Sequence, residues 1–591
     1  MCIGTSFYTS KVISENWYIS VGWSIIIISR RNLKNMKKSK KIIAAAFVAV
    51  MALQLAACHG NPSSSSTETP SAESSQISVT RDRKGRAADE LVVSMGARLP
   101  HEFDPKERYG MYNEAHITHS TLLRRTADLE IVGDFAKDYT ISDDGLVWSF
   151  NLHDDFKFSN GEPVTAEDVK FSYEMLKEDG KHWDLAFIDK IEIPAENQIV
   201  FTLKEPRSTF AMSQLVEVPI VPAAHYDENY KFNPIGSGPY MVAEYKPDEQ
   251  AIFTVNPYWH GDEPYFKKWT WVMLDENTAL AALESGDVDM IYATPELADK
   301  KVDGCKLFDI ESNDVRGLSM PYVKTGVIAN SPDGYPVGND VTSDPVIRKA
   351  LNIGVDRQKV VDTVLNGHGK PAYSVIDGTS FWNPESVIKD NDPEAAKKLL
   401  EENGWLAGGD SIREKDGIRA EFELYYPTAD PLRTNVAVEA ASQAKELGIQ
   451  INLVGSNWDE MITKSHEVSL LYAGGRHNPN QFYESHHPDS AGKGWTNITF
   501  YNNPAVTEYL EKAMKAPSLE EAEKYWKLAQ WDGSTGASSM GDLANVWLVR
   551  INHTYIGDNR INVGNQGLHS HGHDWSLIAN IAEWTWNENA Q

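Results

Sequence analysis

Apolar and polar positions alternate through 146–152 (Leu-Val-Trp-Ser-Phe-Asn-Leu), the period-two pattern of a half-buried strand. Segments 90–95 and 199–203 are also strand-like. Helices with legible ends lie between such strands. Thr165 caps the start of one, and Asp168 completes a capping-box-like pair. A helix over 278–285 stops at Gly286. Asp344-Pro345 and Asp392-Pro393 each put an acidic cap before a proline at the first helical position, and Gly404 ends the second of these helices. A helix over 436–447 ends at Gly448, ahead of a strand over 449–453. No period of about 20–50 residues recurs, so the chain is not a solenoid. The class is α/β.

The first part of the chain breaks this pattern. Lys37, Lys38, Lys40 and Lys41 precede an apolar run over 42–57 that closes with Leu55-Ala56-Ala57-Cys58. A basic cluster, a short apolar region and small residues at the cut make a secretory signal peptide. The run falls short of the ~20 apolar residues of a membrane span. Leu-Ala-Ala-Cys resembles a bacterial lipobox, which implies cleavage before Cys58 and lipidation of its thiol. Met36-Lys37-Lys38 reads as the natural start. Residues 1–35 are then an upstream extension, 36–57 the signal peptide, and 58–86 the lipidated cysteine with a Ser/Thr/Pro-rich tether.

Composition narrows the partners. Acidic residues number 84 against 56 basic ones, a net charge of −28, and removing residues 1–57 takes away more basic than acidic residues. Such a surface repels nucleic acid and anionic head groups. Of the three cysteines, Cys2 lies in the extension and Cys58 takes lipid. Cys305 is left as a structural thiol, without an intramolecular disulfide or a cysteine-built metal site.

Several motifs follow one another along the chain: Asp143-Asp144-Gly145-Leu146-Val147-Trp148, Phe156-Lys157-Phe158-Ser159-Asn160-Gly161-Glu162-Pro163, Gly236-Ser237-Gly238-Pro239-Tyr240, Asn256-Pro257-Tyr258-Trp259, Leu283-Glu284-Ser285-Gly286-Asp287 and Val355-Asp356-Arg357. Collinear over roughly 89–590, they resemble the extracytoplasmic solute-binding proteins of the peptide/nickel ABC transporter family (family 5). The resemblance implies a two-lobed periplasmic-binding-protein-like clamshell, the large type II variant with an extra subdomain in lobe I. Residues 87–315 would form lobe I, 316–547 lobe II, and 548–591 the return to lobe I. It implies a monomeric receptor, lipid-anchored at the cell surface or in the periplasm. The receptor would hold a nickel or other metal chelate, or a short peptide, and hand it to an ABC permease with its ATPase. No resident cofactor is required. The alternatives are an oligopeptide or dipeptide binder without metal, and a hydrolase or adhesive lipoprotein on the same fold. The chain has no serine nucleophile elbow, His-Glu-x-x-His motif or Cys/His pairing, so it is read as a receptor and not an enzyme.

Candidate ligand residues fall in four places. The loop 474–487 carries Arg476, His477, His486 and His487. Peptide-binding relatives have an aspartate for the ligand's α-amino group a few residues before the matching proline. Here Ala473-Gly474-Gly475-Arg476-His477 precedes Pro479 without an acid. The resemblance instead gives Arg476 or Arg316 the carboxylates of a chelate and one of the three histidines its metal. In the tail, His569, His571 and His573 share one face if extended and could bind a divalent metal, though the tail is expected to pack away from the cleft. After the first strand, Tyr109 and Tyr112 could stack on a ligand, beside His116 and His119. In lobe II, Tyr426, Asp430 and Arg433 follow a strand end, where clefts of α/β lobes open; Trp382 and Trp495 are further candidates.

Overall fold

The computed structural model describes residues 81–587 apart from 98, 100, 101, 112–115, 329, 330, 332 and 333, together with three short strands near the N-terminus. Cys58 and Tyr112 lie outside the described residues. Two compact units divide the chain, Met1–Gln76 and Ile77–Gln591. In the first, Val12–Ile13, Asn16–Val21 and Ser24–Ser29 form an antiparallel sheet. Among the described residues no helix is long and apolar enough to cross a membrane.

The second unit is a two-lobed α/β clamshell built on two large sheets. The lobe I sheet runs Tyr240–Lys246, Gln250–Val255, Lys268–Val272, Glu90–Ser94, Met290–Tyr292, His553–Asp558, Cys305–Ile310. The lobe II sheet runs Gly369–Pro371, Asn545–Ile551, Val315–Ser319, Ser469–Gly474, Glu421–Pro427, Gln450–Ser456. The chain therefore crosses between the sheets twice, through 311–314 on the way out and through Asn552 on the way back. The two crossings are hydrogen-bonded side by side, with the Ile551 amide donating to the Asp314 carbonyl at 2.8 Å. A separate four-stranded antiparallel sheet, Ala136–Ile141, Val147–Leu152, Gln198–Leu203 and Ile188–Ala195, forms the extra subdomain.

Local chemistry explains the elements. In Val147–Leu152, Trp148, Phe150 and Leu152 are buried and alternate with more exposed positions. The Thr165/Asp168 capping box is present in full. Asp344, Asp392 and Asp430 each cap a helix that opens with proline. The last of these helices, Pro431–Glu446, begins earlier than the expected 436 because Asp430-Pro431 repeats the device seen at 344 and 392. Gly286 ends its helix at φ +83, and a Cβ there would sit 2.3 Å from the Asp82 carbonyl oxygen.

That approach belongs to a clasp. Residues 81–86, expected as the end of the tether, lie against lobe I, because their basic side chains meet a buried acid. Arg83 and Arg86 pair with Asp289 at 2.9 and 2.7 Å, and the Asp289 side chain is fully buried. Its second oxygen accepts the Val92 amide at 2.9 Å. Lys84 pairs with Asp287 at the surface, and Arg83 lies over Trp586. Removing one partner of a buried pair costs about 3–5 kcal/mol, whereas an exposed pair contributes about 1 kcal/mol or less. Asp289→Ala is expected to lower the unfolding free energy measured in urea by that larger amount, and Asp287→Ala barely to move it. Equal shifts for the two variants would refute the clasp.

Candidate ligand cleft

A cavity of about 640 Å³ lies between the lobes, walled by Arg108, Trp183 and Glu217 from lobe I and by Arg433, Trp458, Arg476 and Trp495 from lobe II. Its lobe II wall is set by strand ends. The parallel strands Glu421–Pro427 and Gln450–Ser456 are each followed by a helix, Pro431–Glu446 and Trp458–Lys464, whose first turns face the cavity. Arg433 and Trp458 stand on those turns, the guanidinium 4.7 Å from the ring centroid. Asp430 caps the Arg433 amide at 3.0 Å and lies 3.3 Å from its Nε. Trp495 meets Trp458 edge-on.

Strand Ser469–Gly474 delivers the loop that carries Arg476. Gly475 has φ +130, and a Cβ there would fall 2.0 Å from the Asn313 carbonyl oxygen, so only glycine fits against the crossing. Arg476 pairs with Glu484 at 3.4 Å.

Behind the cavity wall lies an ionic cluster at the crossing of the lobes. Asp314, 3% exposed, accepts from the Arg316 guanidinium and from His571 Nδ1 at 2.5 Å, with His553 Nε2 at 3.4 Å. Burial alone would raise its pKa, but Arg316, His571 and His553 outweigh burial and hold the carboxyl well below the usual range. Arg433, 6% exposed, has less compensation. Burial first, and then the Arg316 charge, pull its pKa down to about 10, and Asp430 offsets this only in part.

The structure thus brings Arg433, Arg476, Trp495 and His571 to the cavity, with Arg316 in the cluster behind it. It places the other candidates elsewhere. Tyr109 is fully buried in lobe I, its hydroxyl 2.6 Å from Thr118 Oγ1. Tyr426 packs on the lobe II core next to Gly455. Trp382 sits in lobe II beside the Pro384–Ser386 turn and is not part of the cavity wall. His477 turns away, its Nε2 on the Leu568 carbonyl at 2.8 Å, toward a second hollow of about 860 Å³ that His116 and His119 also line. Both nitrogens of His119 are engaged, by Thr118 and Tyr230. His486 donates to the Phe482 carbonyl inside lobe II, and His487 stacks on Tyr483. His569 is buried between His553 and Gln566. His573 opens the short helix His573–Ser576. The tail histidines are therefore split instead of sharing one face, because Gly572, at φ +102, breaks the extended run. Among the described residues no group of three or more His, Cys, Asp or Glu is placed to hold a metal ion. The reading of the sequence missed Trp458, Trp183 and Glu484. Trp458 carried a usable signal, since Asn457 caps a helix directly after a strand.

The buried histidines give the fold an acid limit. Burial lowers His116 and His486 to about 4 and His119 and His477 to about 3, and drives His569 well down. The unfolded chain protonates these rings near pH 6.5, so their contribution is complete above that pH and is lost as pH falls toward 4. Asp134 and Asp377, raised by burial to about 6 and about 7, act in the opposite sense. Five rings outweigh two carboxyls. Urea titrations should show stability falling from pH 6.5 to 4, with His486→Gln reducing the slope by up to about 1.4 kcal/mol per pH unit. A flat profile over that interval would contradict the buried neutral rings.

Comparison with known proteins agrees with this architecture. Residues 130–513 match the family described as bacterial extracellular solute-binding proteins, family 5 Middle. Protein XP55 of Streptomyces lividans is 32% identical over 487 residues, covering 80% of this chain and 85% of its own. The nickel-binding periplasmic protein of Escherichia coli (strain K12) is 29% identical over 386 residues, covering 62% and 71%. The crystal structure of NikZ from Campylobacter jejuni in complex with Ni(L-His) superposes with a TM-score of 0.70 at 24% identity, covering 85% of this chain and all of that one. The chain belongs to the bacterial extracellular solute-binding proteins of family 5, a family of substrate-binding receptors.

Proposed function

We propose that the chain is the lipid-anchored receptor of an ABC importer, and that its cleft takes a small carboxylate-bearing solute, a nickel or related metal chelate. The observation that carries this is Arg433. A guanidinium buried in a cavity wall, beside a second guanidinium and only partly offset, favours an anion in the cavity. A carboxylate there would gain a charge-assisted hydrogen bond. Two relatives point the same way for the metal, one named for nickel and one solved with Ni(L-His).

Capture works through closure. The lobes also meet outside the cavity, through Met212 packed on the lobe II cluster and through polar contacts such as the Ser208 amide on the Met514 carbonyl at 2.8 Å, the Ser208 hydroxyl on the Ala513 carbonyl at 2.7 Å, and Lys515 with Glu205 at 3.1 Å. Such contacts are each worth about 1 kcal/mol. A ligand gripped from both lobes therefore decides which state is populated.

A short peptide is the second reading. Glu217, Glu484 and Asp184 also line the cavity and offer carboxylates to an ammonium group. Asp184 and Glu484 already pair with Arg207 and Arg476, which favours the anionic ligand.

Native mass spectrometry of the full chain with nickel plus L-histidine, and separately with mixed short peptides, distinguishes the two. The chelate is expected to bind, and Arg433→Ala to weaken it about 10- to 100-fold, the loss of one charged hydrogen bond. A co-purifying peptide ladder without metal would sink the chelate reading. For the anchor, Cys58→Ala should move the protein from the membrane to the soluble fraction; retention on the membrane would exclude lipidation as the tie.

A further inference from the structure

Lobe II also rests on lobe I beside the crossings, through the turn that precedes its edge strand Gly369–Pro371. Asn366 donates to the Pro295 carbonyl at 3.1 Å, and the His368 carbonyl accepts the Asn552 amide at 3.1 Å. The ring of His368, 8% exposed, faces lobe I. Its Nδ1 lies 2.8 Å from Asp309 Oδ2, and Asn552 donates to the other Asp309 oxygen at 2.7 Å. Its Nε2 is buried without a hydrogen-bond partner, 3.8 Å from Asp299 Oδ1.

We infer that His368 is a pH-sensitive latch between the lobes: its protonation ties the lobe II turn to two lobe I carboxylates in place of one. Histidine is the side chain whose ordinary charge change falls between about pH 5 and 8. In the neutral ring the proton belongs on Nδ1, against Asp309, and Nε2 turns a lone pair to Asp299. A second proton, on Nε2, makes that contact attractive, and the largely exposed Asp299 side chain can swing in to take it. The charged ring therefore strengthens the seam in acid, and its contribution is lost as pH rises. The crossings about which the lobes turn lie beside it, so a tighter seam restrains opening and closing.

The surrounding charges are matched elsewhere. Lys370 and Arg550, on the two lobe II strands at the seam, both meet Glu311. Lys359 and Asp362, on the helix before the turn, are engaged with Glu439 and Gln358. In lobe I, Lys300 is drawn to Glu284, and Glu296 is exposed on the short helix Pro295–Ala298. His368 is the ion-pair partner of both Asp299 and Asp309. The buried neutral rings described above weaken the fold in acid, so a join that tightens there moves against the rest of the molecule.

Hydrogen exchange of the full chain at pH 6 and pH 8, read by mass spectrometry and corrected for the intrinsic pH dependence of exchange, tests the latch. Segments 295–300 and 365–372, on its two sides, should be about 2- to 5-fold better protected at pH 6. The lobe II helix Pro393–Glu402, away from the seam, should show no such rise. His368→Gln still offers a donor to Asp309 but no charge, and should abolish the rise. Asp299→Asn, at an exposed side chain, should reduce it without a change in melting temperature. The inference is overturned if the native chain shows no rise at the two segments, if the helix rises by the same factor, or if the rise persists undiminished in either variant.

Discussion

A carboxylate buried where the chain passes between its lobes has to be surrounded by positive charge, and much of the geometry of the cleft follows from how Asp314 is surrounded. Its partners come from three stretches of sequence: Arg316 from the first lobe II strand, His553 from the strand that returns to lobe I, and His571 from the tail. Removing a buried ion from water costs several kcal/mol unless each lone pair is met. The three segments are therefore held in register by one atom group, and a shift of any of them would leave the charge uncompensated. Apolar packing gives each lobe its core and carries Met212 of lobe I into a lobe II cluster, and the ionic cluster fixes the crossing itself.

The cleft wall inherits its order from this join. Gly475 lies so close to Asn313 that the loop bearing Arg476 is pressed on the crossing. The parallel strands of lobe II then bring two helix starts to the same place, so Arg433 and Trp458 arrive by backbone geometry alone. Two guanidiniums of the region are positioned by acids of their own chain segment, Arg316 by Asp314 and Arg433 by Asp430. The difference between them is burial balance. Arg316 is answered by a fully engaged carboxylate, whereas Arg433 is only partly answered.

Local signals in the sequence were sufficient for much of the fold. The Asp-Pro caps, the Thr165 capping box and the alternation at Trp148 and Phe150 are short-range effects, and the structure repeats them. Arg433 was legible for the same reason, since strand ends open onto clefts. The histidines were not. Spacing placed His569, His571 and His573 on one face and left His477, His486 and His487 equivalent. Their directions depend on distant partners: Leu568 for His477, the Phe482 carbonyl and Tyr501 ring for His486, and Asp314 for His571. No window of sequence contains those partners together.

The clasp of residues 81–86 on lobe I has a mechanical consequence. A pull arriving from the N-terminal side enters the body through Arg83 and Arg86 at Asp289, next to the central strand Glu90–Ser94, and is borne by the lobe I sheet. Neither crossing between the lobes lies in that load path. A load taken up at Asp289 thus reaches lobe II only through the lobe I sheet, the crossings and inter-lobe contacts such as those at Ser208 and Glu205.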